Sequence, residues 1–274
     1  SSRRGPLRIF VPSAAALLTD HRGHGEGLIA WNLFAGLAAR GHELVVCARR
    51  VELEQDPPFE VVETGQAARW ESIEPLAYSR VVTRLFERRH RCRPFDLAHW
   101  LFPQGAAEVL FSNSAVPFVI GPHSLAWPSS FAPRRPGDLV RRMSAPLFGR
   151  LHRRTLASAA TILVSVPEAA AAVPETFGSK VRVLPFGIDT SAFEVAPLPE
   201  TATVLFVGRL ETEKGVRELV ETFADVTARI GEARLVVDSD GPERTWLEKR
   251  QHASGLNGSL ELLGPVPHPR IADR

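Results

Sequence analysis

Arg209 and Lys214 lie five positions apart in the run Phe206-Val207-Gly208-Arg209-Leu210-Glu211-Thr212-Glu213-Lys214-Gly215. An apolar, β-branched stretch precedes the run and a helical pattern follows it, so both cations fall between a strand and a helix start. That setting suits an anion. Gly208 lets backbone approach a ligand, Arg209 offers a planar fork, Lys214 supplies a point charge, and a helix start adds unpaired N–H groups. A diphosphate matches this set. The competing reading is a solvated loop in which Glu211 and Glu213 pair with the cations.

A second glycine-bearing segment, Gly25-Glu26-Gly27-Leu28-Ile29-Ala30, has the G-x-G-x-x-A spacing of a dinucleotide fingerprint. Arg49 and Arg50 end the next strand, where a 2′-phosphate would need cations. In that fingerprint the glycines turn straight off the first strand, whereas residues 12–24 intervene here. The spacing favours a loop that approaches some phosphate over a nicotinamide site. His21 and His24 occupy the same loop, either bordering a ligand or simply solvated. His123 ends an apolar strand, where open α/β sheets present ligand-contacting residues. His99, inside another strand, reads as structural.

The elements that position these residues alternate. Short apolar runs at 7–11, 44–47, 59–62, 97–100, 118–120, 162–164 and 181–184 are separated by longer stretches, which predicts an α/β fold with a parallel sheet. Residues 27–40 carry Leu28, Trp31, Phe34, Leu37 and Ala38 at helical spacing, and Gly41 stops that helix. The aperiodic, proline-bearing stretch 190–201 reads as a linker. Beyond it come a strand at 203–207, a helix at 214–230 with Val216, Leu219, Val220, Phe223 and Ile230 on one face, and strands at 234–237 and 260–263. Two Rossmann-like domains are expected, 1–190 and 191–274. The second has only about three strands where doubly wound sheets have about five or six, so the chain is expected to stop inside it.

Composition narrows the function classes. Hydrophobic residues at 44% and charged residues at 23% describe an ordinary globular chain, and 33 basic against 31 acidic residues give a net charge of +2. No general affinity for nucleic acid follows. Cys47 and Cys92 stand in no metal-ligand or disulfide spacing, which points to a reducing, cytoplasmic setting. The most apolar stretch, 156–173, is broken by Pro167 and Glu168 and is too short to span a bilayer, and residues 1–6 lack the apolar core of a signal peptide. Residues 133–155 carry Arg134, Arg135, Arg141, Arg142, Arg150, Arg153 and Arg154 against Asp138 alone, with Leu139, Val140, Met143, Leu147 and Leu151 as an apolar stripe. This is either a helix packed on the sheet with solvated arginines, or one that meets an anionic membrane or acceptor.

V-G-R-L followed by E-K-G resembles the donor-phosphate motif of the family 4 glycosyltransferases, which have the GT-B fold of two facing Rossmann domains. Val183-Leu184-Pro185-Phe186-Gly187-Ile188-Asp189, with Phe193 after it, is similar to that family's P-x-G-V/I-D segment. Ala39-Arg40-Gly41-His42-Glu43-Leu44 resembles its RGHEV helix end. Phe95-Asp96-Leu97-Ala98-His99 resembles its D-V-V-H strand, and Ile120-Gly121-Pro122-His123-Ser124 its T-x-H strand end. There are departures. Of the two glycines that often precede the family's first helix, only the one at Gly25 is kept, His24 standing for the other. Ser239 replaces the first glycine of G-D-G-P-E in Asp238-Ser239-Asp240-Gly241-Pro242-Glu243. The family's two glutamates eight positions apart have no counterpart. Glu52 with Glu60, Glu63 with Glu71, and Glu213 with Glu221 share the spacing by chance, and the pair is expected beyond Arg274.

The resemblance implies a retaining, metal-independent transfer of sugar from a nucleoside-diphosphate donor to an unidentified acceptor. Arg209 and Lys214 would neutralise the departing diphosphate and His123 would touch the donor sugar. Gly25, Gly208, Gly241 and Pro242 would lie against the donor. No cofactor and no metal are expected, and peripheral membrane contact is one expectation for the Arg-rich stretch. Two other functions stay open: a non-catalytic binder of nucleotides or sugar phosphates, and a nucleotide-sugar epimerase of the same fold.

Overall fold

In the computed structural model the described residues are 5–66, 74–102, 116–123, 149–171, 173–188, 190, 193, 197, 200–251, 256 and 258–265. The chain divides into two units, Ser1–Asp20 with His24–Ile188, and His21–Gly23 with Asp189–Arg274.

The elements of the first unit are, in order, β1 (Arg8–Val11), β2 (Leu17–Thr19), α1 (Gly25–Ala39), β3 (Glu43–Ala48), β4 (Arg50–Glu52), β5 (Glu60–Glu63), α2 (Glu74–Cys92), β6 (Leu97–Trp100) and β7 (Phe118–His123). Helical residues 149–158 (α3), β8 (Thr161–Val164), α4 (Pro167–Ala170) and β9 (Val181–Val183) complete it. Seven strands form one parallel sheet in the order β5-β3-β1-β6-β7-β8-β9. The order runs outward from β1 in one direction and then from β6 in the other, so the strand order reverses between β1 and β6. Crevices of this kind, at the carboxyl ends of the strands, receive ligands in open α/β sheets.

Two-residue periodicity explains why both faces of this sheet are covered. Ile9, Val11, Leu44 and Val46 point to one side, where Ala30, Trp31 and Phe34 of α1 pack on them. Phe10, Val45 and Cys47 point to the other, against Tyr78, Val82 and Phe86 of α2 and Leu156 of α3. Fully burying one such large apolar side chain contributes about 1.5–3 kcal/mol.

The end of α1 shows what the Arg40-Gly41-His42-Glu43 segment does. Gly41 adopts φ +86°, which stops the helix, and its N–H donates to the Ala38 carbonyl. His42 Nδ1 then accepts the Leu7 N–H at 3.1 Å, and Glu43 pairs with Arg8 at 2.7 Å and with Arg93 at 2.6 Å. The Arg8 bond holds the Glu43 carboxyl below its ordinary range. Sequence reasoning foresaw all seven strands of the main sheet. It missed β2 and β4, three residues each, which pair with one another in a separate two-stranded parallel ribbon.

The second unit contains β10 (Ala202–Val207), α5 (Val216–Ile230), β11 (Ala233–Asp238), α6 (Arg244–Gln251) and β12 (Leu260–Leu262), with the strands parallel in that order. Val216, Val220 and Phe223 of α5 pack with Leu235, Val237, Leu247 and Leu260. Two expectations need correction. The helix was expected to open at Lys214, but residues Thr212–Lys214 form a 3₁₀ turn and Gly215, at φ +68°, separates it from α5. Ile230 was expected on the buried face but is 60% exposed, because it is the last residue of the helix, beyond the reach of the core.

Burial also sets a pH dependence. Desolvation lowers the pKa of His99 and pushes His152 down to about 4, so the fold favours the neutral form of both. The unfolded chain protonates them near the ordinary value of about 6.5. Stability contributed by the neutral form of His152 is therefore complete above about pH 6.5 and is lost as pH falls toward 4, and His99 acts in the same direction. We expect the denaturation midpoint of His152→Phe to fall less than that of the wild type between pH 6.5 and 4.5, and parallel curves would contradict the assignment.

Candidate functional site

In the second unit, β10 ends at Val207 and the loop 208–215 leads to α5. A Cβ on Gly208 would touch only the Phe206 ring, at 3.8 Å, so its outer side is open. Arg209 is 62% exposed and pairs with Glu211 at 2.7 Å, so one half of the internal ion-pair reading holds; the other half rests on the Glu213 side chain, which lies outside the described residues. Lys214 is exposed, carried by the 3₁₀ turn, and makes no ion pair among the described residues. Gly215 precedes α5 without a capping side chain, which leaves the first N–H groups of the helix uncapped by any side chain.

A second loop, residues 238–243, is fastened to the first through Leu210. Leu210 N–H donates to the Asp240 carbonyl at 3.0 Å and the Leu210 carbonyl accepts the Glu243 N–H at 3.0 Å. Gly241 sits so close that a Cβ there would come within 2.6 Å of the Leu210 carbonyl oxygen. That contact accounts for glycine at 241; Pro242 is exposed. Glu243, only 6% exposed, accepts from the Thr212 hydroxyl at 2.7 Å and from Arg217 Nε at 2.6 Å. The Arg217 bond first, then the Thr212 bond, hold its carboxyl below the ordinary range. Arg217 in turn lies over the Trp246 ring, 5.1 Å from its centroid. Sequence reasoning quoted Glu243 as part of a motif and gave it no role. Its distance of 31 positions from Thr212 hid the contact.

In the first unit the residues singled out from the sequence separate. Gly25 opens α1, exposed, and a Cβ there would meet nothing within 4 Å. Gly27 is different: a Cβ would fall 2.3 Å from the Leu17 carbonyl oxygen and 2.9 Å from Thr19 Cγ2. It lets α1 lie against β2, so the dinucleotide spacing reflects helix packing. His24 caps α1, its Nδ1 accepting the Gly27 N–H at 3.2 Å; His21 lies in the preceding bend, in the segment His21–Gly23 that is grouped with the second unit. Arg49 does not wait for a phosphate. It makes a bidentate bond to Glu74, 2.7 Å at both nitrogens, and lies over the Tyr78 ring at 4.1 Å. A half-buried guanidinium needs such a carboxylate. Tyr78 passes the constraint on, its hydroxyl donating to the Pro12 carbonyl at 2.8 Å just after β1. Arg50 pairs with Glu52 at 2.5 Å.

His123 is the last residue of β7, in register with Val164 of β8 after an irregularity that begins at Ile120. His99, as expected, is structural: buried in β6, its Nε2 lies 2.6 Å from the Gly121 carbonyl, so that nitrogen donates and fixes the tautomer. Of the Arg-rich stretch, 133–148 lie outside the described residues. Arg150, Arg153 and Arg154 are exposed on α3 while Leu156 is buried. The chance acid pairs are otherwise engaged or apart. Glu52 and Glu60 pair with Arg50 and Arg89, Glu71 lies outside the described residues, and Glu221 is exposed on α5. Asp189 of the Pro185-to-Asp189 segment also lies outside them; Ile188 is 69% exposed. Among the described residues no group of three His, Cys, Asp or Glu could hold a metal ion, and no helix is long and apolar enough to cross a membrane.

The family profile described as Glycosyltransferase Family 4 matches residues 25–192, more than half of the chain. The chain belongs to that family. A second profile, Glycosyl transferases group 1, matches 188–273 and so takes in the loop of Arg209 and Lys214. Among curated relatives of this family 4 chain, an alpha-D-kanosaminyltransferase of Streptomyces kanamyceticus is 29% identical over 171 residues, 57% of this chain and 43% of the relative. A phosphatidylinositol N-acetylglucosaminyltransferase component of Arabidopsis thaliana is 34% identical over 96 residues, 34% of this chain and 22% of the relative. The chain thus spans less than half the length of these curated relatives. Among solved structures, sucrose-phosphate synthase from Thermosynechococcus elongatus matches with a TM-score of 0.68 at 18% identity, covering 98% of this chain and 72% of that one. Anabaena HepE in complex with UDP and glucose matches with a TM-score of 0.61 at 15% identity, covering 96% and 70%. At these identities the likeness concerns the fold, which is α/β with Rossmann-like domains of the GT-B type.

Proposed function

We propose that this family 4 chain serves a retaining glycosyltransferase that moves a sugar from a nucleoside-diphosphate donor to an acceptor. The observation that carries the reading is the loop 208–215. Lys214, which makes no ion pair among the described residues, an Arg209 held by an exposed ion pair, and a helix start without a capping side chain share one loop with Gly208. Breaking the bond from sugar to diphosphate places negative charge on the leaving oxygen. Fixed cations and N–H groups stabilise that charge with little reorganisation at the moment of reaction. In this reading Arg209 and Lys214 do so without a metal ion. His123 is assigned to the donor sugar and Gly25, Gly208, Gly241 and Pro242 to donor contacts, on the family motifs they match. Retention of configuration likewise comes from the family. The HepE complex, which contains UDP and glucose, supports a donor of this class.

The relatives' names point to phosphatidylinositol in one case and to 2-deoxystreptamine in another. The surface of α2 favours an anionic lipid surface. Arg80, Arg84, Arg88 and Arg91 recur at helical spacing on its exposed side, and the first three make no ion pair among the described residues. Attraction to an anionic leaflet contributes about 1 kcal/mol per basic residue. Reversing Arg84 and Arg88 to Glu is therefore expected to weaken binding to phosphatidylserine vesicles in low salt by about tenfold or more, while leaving diphosphate affinity intact. Added salt should mimic the change. Wild-type protein that ignores such vesicles would assign the acceptor to the soluble class.

Mass spectrometry of products from the full-length protein, given a panel of nucleotide sugars and acceptors, tests the function. A glycosylated acceptor is expected. Binding without turnover would favour the non-catalytic reading, and an isomerised nucleotide sugar without acceptor would favour the epimerase.

A further inference from the structure

Glu243 joins two loops through side chains while main-chain bonds already join them through Leu210. The two fastenings act on different points. The Leu210 bonds fix the first half of the loop 208–215. Nothing in them constrains its second half, the 3₁₀ turn Thr212–Lys214 that carries the Lys214 cation. Glu243 reaches that second half: one carboxylate oxygen takes the Thr212 hydroxyl and the other takes Arg217 Nε in the first turn of α5. Thr212 opens the turn and Arg217 follows the left-handed Gly215 that ends it, so a single nearly buried carboxylate holds both ends of the segment bearing Lys214.

We infer that Glu243 is a positioning residue for diphosphate binding, fixing Lys214 and the start of α5 at the spacing an anion requires. It does not touch the ligand, since both its oxygens are engaged inside the chain. The alternative is that Glu243 only stabilises the second unit. A stability role lowers the denaturation midpoint but leaves the affinity of the folded protein unchanged, whereas a positioning role weakens affinity while the protein is still folded.

The inference rests on the assignment of the loop 208–215 to a diphosphate, and a double-mutant cycle separates the two claims. Calorimetry with UDP and GDP would compare wild-type full-length protein with Glu243→Gln, Lys214→Ala and the double variant, at a temperature where circular dichroism shows all to be folded. Glu243→Gln is expected to weaken binding by about three- to tenfold on its own and to add almost nothing once Lys214 is gone, because coupled residues are not additive. Thr212→Val breaks one of the two bonds and leaves the Glu243 carboxylate paired with Arg217. It is expected to repeat the loss in milder form, and it decides the matter if Glu243→Gln does not fold. If Lys214→Ala binds as wild type does, or wild type binds neither nucleotide, the diphosphate assignment fails and the inference goes with it. If Lys214→Ala weakens binding while Glu243→Gln and Thr212→Val do not, or Glu243→Gln costs the same with and without Lys214, only the positioning role is overturned.

Discussion

Replacing both Arg209 and Lys214 with Ala should weaken the binding of UDP or GDP to the full-length protein by about a hundredfold or more. Each substitution removes a charge-assisted contact worth about 1.5–3 kcal/mol, and about 1.4 kcal/mol is a factor of ten. The two losses are unequal. Arg209 must first leave Glu211, an exposed pair whose own contribution is about 0–1 kcal/mol, while Lys214 has no such competitor among the described residues. Lys214→Ala is therefore expected to cost more than Arg209→Ala, each falling between about tenfold and a hundredfold. Calorimetry that finds the affinity unchanged in both single variants would remove the diphosphate from this loop.

The second large effect concerns stability. Gly27→Ala places a methyl group 2.3 Å from the Leu17 carbonyl oxygen, a backbone atom that no side-chain rotation can move aside. Either α1 or β2 must shift, and overpacking of this kind costs about 1–3 kcal/mol or more. For a unit of this size that lowers the thermal midpoint by several degrees, at about 2–4 °C per kcal/mol. Gly25→Ala, two residues earlier, meets nothing within 4 Å and should leave the midpoint nearly unchanged. The pair of variants distinguishes a packing glycine from an open one. Equal midpoints for the two would contradict the account of α1 lying directly on β2.

The seven strands of the main sheet were readable in the sequence because each is a short apolar run that must fill two opposite faces, as Ile9 and Val11 do on one side and Phe10 on the other. The ribbon of β2 and β4 was not, since three residues are too few to show a period and Leu17–Thr19 pairs with a strand far along the chain. The strand end, loop and helix start around Gly208, Arg209, Lys214 and Gly215 were readable because they lie within one short run of sequence. Glu243, Arg49 and Glu74 were opaque for one reason. Their significance lies in partners 25 to 31 positions away, and spacing along one element carries no record of them. The motifs that resembled the family also divide. His42, Asp96 and His99 satisfy backbone groups at Leu7, Arg8 and Gly121. They hold the sheet rather than perform chemistry.

Hydrogen exchange in the full-length protein, with and without saturating UDP or GDP, tests the central claim most directly. The account predicts that bound diphosphate slows exchange at the amides of residues 208–215 and in the first turn of α5, and that Lys214→Ala abolishes the effect at equal nucleotide concentration. Slowed exchange confined to residues 25–30, with 208–219 unchanged, would contradict it and place the nucleotide on the first unit's helix instead.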